Sequence, residues 1–153
     1  VAMKGLCAEA DYLVPNISEA CFLTDTEYKT EYDKAYIDEL LSKLTGLGAK
    51  NIILTGVSYI EGKTGVVVFE NGNYLYYEHE KISNGCHGTG DIYASAFTGA
   101  LVRGKDAYTS AKIAADYVLE CIKETQNKDE NEEPHWYGAK FEPVLYKLIQ
   151  ALN

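Results

Sequence analysis

Nine residues constrain this chain more than any others: Ser83-Asn84-Gly85-Cys86-His87-Gly88-Thr89-Gly90-Asp91, which break a strand pattern and lead into a long apolar run. Three glycines in six positions permit a tight path with positive φ, which a residue carrying a Cβ resists. The spacing predicts a helix from Ile92 to about Arg103. Its unpaired N–H groups and the positive end of its dipole would point into the loop, a setting for a phosphate or another oxyanion. Glycine-rich turns before helices are common, so spacing alone also fits a plain strand-to-helix connection. Asp91 separates the two. A connection would favour Ser, Thr or Asn there, whereas an acid beside a bound phosphate suggests proton abstraction.

The 153 residues fit one domain, able to bury roughly two-thirds of the surface its unfolded form exposes. A net charge of −9, from 14 basic and 23 acidic residues without basic clusters, argues against a nucleic-acid partner. Backbone dipoles can still hold a nucleotide locally against that charge. No run approaches the roughly 18 apolar residues of a membrane span, and no stretch resembles a secretory leader. A soluble, cytoplasmic protein is expected. Cys7, Cys21, Cys86 and Cys121 lack metal-site spacing, and the first two and last are expected as buried, reduced core residues. The opening residues 1–10 look like the last turns of a helix, so the chain is expected to be a fragment.

In chain order, Asp11-Tyr12-Leu13-Val14 suits a short buried strand stopped by Pro15, and 16–23 a short helix capped by Asn16 or Ser18. Asn16 and Glu19 also place an amide and a carboxylate at a strand's carboxyl end, where open α/β sheets bind ligands. Residues 33–47 carry an apolar stripe of helical period, and 51–55 a second buried strand, together a βαβ unit. Residues 64–69 and 74–78 flank Asn71-Gly72, a strong hairpin signal, with Tyr74, Tyr76 and Tyr77 expected to pack across strands. A helix over 106–124, an acidic loop over 126–134 and an amphipathic helix over 141–152 complete the pattern. His135 has no second ligand nearby in sequence and Trp136 adjoins it; both are expected to pin the loop.

Three motifs, Leu13-Val14-Pro15-Asn16-Ile17-Ser18-Glu19-Ala20, Leu54-Thr55-Gly56-Val57 and His87-Gly88-Thr89-Gly90-Asp91-Ile92, occur in an order that resembles the carboxyl-terminal half of the ribokinase-like superfamily, and within it the pyridoxal kinases. The resemblance implies an α/β fold, a three-layer α/β/α arrangement whose sheet is mainly parallel with an antiparallel hairpin at 64–78. It treats 1–153 as a single partial domain lacking the amino-terminal substrate and lid half. The implied activity is ATP-dependent phosphorylation of the hydroxymethyl group of pyridoxal, pyridoxine or pyridoxamine, with a hydroxymethylpyrimidine or sugar kinase, or an inactive nucleotide-binding fragment, as alternatives. Asp91 would be the catalytic base and Gly88, Thr89 and Gly90 the anion hole. Thr55, Gly56, Val57, Ala111 and Ala115 would serve ATP, and Asn16 and Glu19 would organise Mg²⁺ through water. ATP, Mg²⁺ and a monovalent cation are the implied cofactors. The implied partners are a pyridoxal-like small molecule and, in the full-length protein, a second copy; neither nucleic acid nor membrane is expected. Cys86 does not inherit a catalytic role from the resemblance.

Overall fold

Pro15, Gly48, Gly72, Gly88 and Gly104 lie in the connections between elements. The computed structural model describes residues 2–82, 86–127 and 138–153. The acidic loop's residues 128–134, His135, Trp136 and the first third of the glycine loop, 83–85, lie outside the described residues. The chain divides into two compact units, Val1–Glu80 and Lys81–Asn153, where the sequence suggested one partial domain without a linker.

The first unit runs α1 (Ala2–Leu6), α2 (Ile17–Thr24), α3 (Lys34–Gly46), β1 (Ile52–Val57), β2 (Lys63–Glu70) and β3 (Asn73–Glu80). In α3, Ile37, Leu40, Leu41 and Leu44 recur at helical spacing and all are buried. Asp33 starts that helix by accepting the Tyr36 N–H at 3.1 Å. Ile37, Leu40, Leu44, Ile52, Leu54 and Val67 meet in one core. Asn71 and Gly72, with φ of 52° and 77°, turn β2 into β3, because two successive positive φ values match the twist of a two-residue hairpin. Tyr74 and Tyr76 pair with Phe69 and Val67, the expected cross-strand packing.

The sheet differs from the mainly parallel one expected. Its order is β1-β2-β3, and both pairings are antiparallel. Short connections account for this, since a two-residue turn or a brief loop can join only antiparallel neighbours. Among the described residues, parallel pairing is confined to two bridges, Leu13 with Ile52 and Asn16 with Thr55. The short buried strand expected at 11–14 is reduced to an isolated bridge in a stretch that is not buried: Leu13 donates its N–H to the Asn51 carbonyl at 2.9 Å and accepts Ile53 N–H at 2.8 Å. Pro15 has no N–H to continue the ladder.

The second unit contains α4 (Thr89–Val102), α5 (Ala107–Gln126), a 3₁₀ turn (Glu142–Val144) and α6 (Leu145–Leu152). Small residues let α4 lie close along α5. Tyr93, Ala96, Phe97 and Ala100 are buried on one helix, and Ala107, Ala111, Ala114 and Cys121 on the other. The Tyr93 hydroxyl crosses between them to the Ala111 carbonyl at 3.1 Å. Phe97 is 1% exposed; burying a side chain of that size stabilises by about 1.5–3 kcal/mol. Cys7, Cys21 and Cys121 are buried free thiols, as expected, and Cys86 is half-buried. Among the described residues no helix is long and apolar enough to cross a membrane.

Candidate active site

In the second unit the site turns on Gly88. It stands at the N-cap of α4 with φ 81° and ψ 0°, a left-handed conformation that favours glycine. No described side chain caps the helix there. The ladder begins with Ile92 N–H donating to the Gly88 carbonyl at 3.1 Å, so the N–H groups ahead of Ile92 have no carbonyl of their own helix to reach. Gly88 and Gly90 are exposed, and Thr89 is half-buried with its hydroxyl on the Cys86 carbonyl at 3.4 Å. Ala139 N–H holds the His87 carbonyl at 3.2 Å, which ties the loop to the chain before α6.

Asp91 is exposed in the first turn of α4, which starts at Thr89, three residues earlier than expected. Its charge there is favoured by the helix dipole. The structure thus brings Gly88, Thr89, Gly90 and Asp91 into one helical turn: backbone donors for an anion and a solvent-accessible carboxylate beside them. A cavity of about 340 Å³ borders Asp91, walled by Ile92, Ser95, Tyr117, Phe141 and Leu145 among others. Its lining is largely apolar, so the capacity for an anion lies in the N–H groups and not in the cavity. Ala111 and Ala115 are buried, at 0% and 4% exposure, so they support a surface without forming it.

In the first unit, Asn16 and Glu19 form a complete capping box. Asn16 Oδ1 accepts the Glu19 N–H and Glu19 Oε2 accepts the Asn16 N–H, each at 2.9 Å. The sequence fits this motif only loosely, because Asn replaces the usual Ser or Thr. The only side-chain oxygen of Asn16 and one of the two on Glu19 are therefore already engaged. Among the described residues no group of three or more His, Cys, Asp or Glu could hold a metal ion.

Gly56 is the extra residue of a bulge in β1, between the Thr55–Val66 and Val57–Gly65 pairs. Its φ is 76°, and the space where a Cβ would stand is open. Thr55 spends its N–H on the Pro15 carbonyl at 2.9 Å and its hydroxyl on the same oxygen at 3.4 Å. Val57 is fully buried. Two tyrosines that the sequence did not single out for this position hold the bulge. The Tyr32 hydroxyl accepts Ser58 N–H at 2.9 Å and donates to the Gly56 carbonyl at 3.5 Å. The Tyr76 hydroxyl donates to the Val57 carbonyl at 3.2 Å. The available signal was an aromatic in the polar stretch 24–32, which holds both Tyr28 and Tyr32 and does not by itself single out Tyr32.

Solved structures share this fold. The chain superposes with a TM-score of 0.85 and 28% identity on a protein from Bacteroides thetaiotaomicron provisionally named a phosphomethylpyrimidine kinase and crystallised with pyridoxal, covering 96% of this chain and 52% of that one. Pyridoxal kinase from Lactobacillus plantarum gives 0.82 at 24% identity, over 97% of this chain and 52% of the other, a likeness of fold. The family described as phosphomethylpyrimidine kinase matches residues 1–136, and the chain belongs to it. The hydroxymethylpyrimidine/phosphomethylpyrimidine kinase of Aquifex aeolicus is 30% identical over 118 residues, 76% of this chain and 45% of that protein. The chain spans about half the length of the curated relatives it matches.

Proposed function

We propose that the full-length protein is an ATP-dependent kinase that phosphorylates the hydroxymethyl group of pyridoxal, pyridoxine or pyridoxamine, giving pyridoxal 5'-phosphate from the first. The observation that carries this is the glycine-led start of α4, where no described side chain takes the first-turn N–H groups and Asp91 stands in the same turn. Asp91 accepts the proton of the substrate hydroxyl as its oxygen bonds to the γ-phosphorus and the bond to ADP breaks. The N–H groups at Gly88, Thr89 and Gly90 stabilise charge on the group in transfer. We assign Thr55 and Gly56 to the nucleotide phosphates, and Val57, Ala111 and Ala115 to ATP binding.

Asn16 and Glu19 carry the kind of oxygen donor that Mg²⁺ prefers; the only side-chain oxygen of Asn16 and one of the two on Glu19 are bonded within the capping box. They fit a hydrated Mg²⁺ held through water, not direct coordination by a full protein cage. When bound, the ion neutralises charge on the phosphates. The rest of the longer protein supplies the remaining substrate contacts, the mainly parallel three-layer arrangement and the surface for a second copy.

Hydroxymethylpyrimidine is the second acceptor to consider, because the Aquifex relative carries it in its name and the matching family is named for the related phosphomethylpyrimidine. Both acceptors are hydroxymethyl groups on six-membered nitrogen heterocycles. Incubating the full-length protein with MgATP and, in turn, pyridoxal, hydroxymethylpyrimidine and ribose, with phosphomonoester followed by mass spectrometry, decides between them. The highest kcat/KM is expected for pyridoxal. A higher value for hydroxymethylpyrimidine transfers the assignment to that substrate, and no phosphomonoester from either ring contradicts both.

A further inference from the structure

The bulge at Gly56 is held by side chains from outside its own hairpin loop, and this gives it a property that its sequence does not. A glycine at φ 76° with open space beside it is free to sample other conformations. Here the carbonyl on Gly56 and the N–H on Ser58 meet a single oxygen, the hydroxyl of Tyr32, which lies between α2 and α3. The next carbonyl, on Val57, is taken by Tyr76 of β3. Tyr32 is itself fixed by its ring neighbours: its centroid lies 5.5 Å from that of Tyr36 and 6.4 Å from that of Tyr59. Tyr59 in turn shares a hydroxyl contact of 2.6 Å with Tyr74. Burial raises the pKa of Tyr32 and Tyr76, so both hydroxyls keep the proton they donate.

We propose that Tyr32 and Tyr76 are positioning residues for nucleotide binding, clamping the Gly56 bulge so that its backbone is set for the phosphates of MgATP before the nucleotide arrives. This rests on the assignment of Thr55 and Gly56 to the nucleotide. The hydroxyls act through backbone groups, so their loss loosens a surface without removing a contact to the ligand. The effect belongs to nucleotide affinity. Acceptor binding and the chemical step depend on other residues, chiefly Asp91.

The test compares Tyr32→Phe, Tyr76→Phe and Tyr59→Phe in the full-length protein. Each keeps the ring and removes one hydroxyl, and Tyr59 has its hydroxyl on Tyr74 instead of on the bulge. Losing a hydrogen bond of ordinary strength predicts a rise of about three- to tenfold in KM for MgATP for the first two variants. Their kcat and acceptor KM stay within about twofold of wild type, and Tyr59→Phe leaves all three within about twofold. Amide hydrogen exchange at Ser58 is expected to quicken in Tyr32→Phe, a readout that needs no nucleotide. Faster exchange with an unchanged KM for MgATP in both bulge variants overturns the positioning role and leaves the kinase assignment standing. An equal rise in KM for Tyr59→Phe also overturns it, since the whole aromatic cluster then matters and not the bulge. A wild-type protein that does not bind MgATP overturns the kinase assignment and this inference together.

Discussion

At the start of α5, Asp106 accepts Thr109 N–H at 2.9 Å and the Thr109 hydroxyl at 2.7 Å, while at the start of α4 Gly88 has no side chain to offer and no described neighbour replaces it. The two helices share a unit and pack along one another, so burial does not separate them. The helix starts at α2 and α3 resemble α5, with Asn16 and Asp33 as caps. A cap is worth roughly 0.5–2 kcal/mol. The lack of a cap among the described residues at α4, combined with a left-handed glycine and an exposed acid, is the arrangement expected where the partner of the N–H groups is a ligand.

The sharpest way to break this comparison is at the acid. Asp91→Asn in the full-length protein keeps the size of the side chain and removes its basicity, and turnover should fall by roughly 10²–10⁴-fold while MgATP affinity is retained, as calorimetric titration would show. Unchanged turnover would leave α4 as an ordinary helix with a weak start. Next in size is Gly88→Ala. A Cβ in the left-handed region costs about 1–2 kcal/mol, so if the donors must be held in this conformation turnover drops by about 5–30-fold in steady-state assays. The smallest effect belongs to α5. Asp106→Ala should lower stability by about 1 kcal/mol in urea unfolding near neutral pH and leave turnover unchanged, because that cap serves only the helix.

The same position carries a pH signature. Hydrogen bonds from the Thr109 backbone N–H and then its hydroxyl hold the Asp106 carboxyl below the usual carboxylate range. A folded-state pKa below the unfolded one means that the stabilisation is present above the ordinary Asp value and is lost as pH falls through the depressed one. Wild type and Asp106→Ala should therefore converge in stability on acidification.

Much of this was legible in the residues. The 3.6 period over 33–47 and 106–124 reports helices that bury one face, and Asn71-Gly72 reports a hairpin through its backbone requirement. Gly88 and Asp91 stood out in the sequence as a candidate anion site because a glycine-rich turn leads straight into an apolar helix with an acid beside it. Two features were not. The β1–β2 pairing is a non-local register whose connection, 58–62, carries no two-residue turn signal, and the bulge at Gly56 hides inside it. The clamp by Tyr32 joins residues 24 and 26 positions apart in the chain, a relation that no local period encodes.

The central claim is that the start of α4 keeps its N–H groups for the group in transfer, whereas the Gly56 bulge is already braced. Amide-resolved hydrogen exchange on the full-length protein, with and without MgATP, tests it most directly. Ser58 should exchange slowly in both conditions, and the amides of Gly88, Thr89 and Gly90 should exchange freely alone and slow by about tenfold or more with nucleotide, as hydrogen bonds to a charged acceptor imply. Amides at 88–90 that are protected without nucleotide, or that stay unprotected when it is bound, would contradict the account.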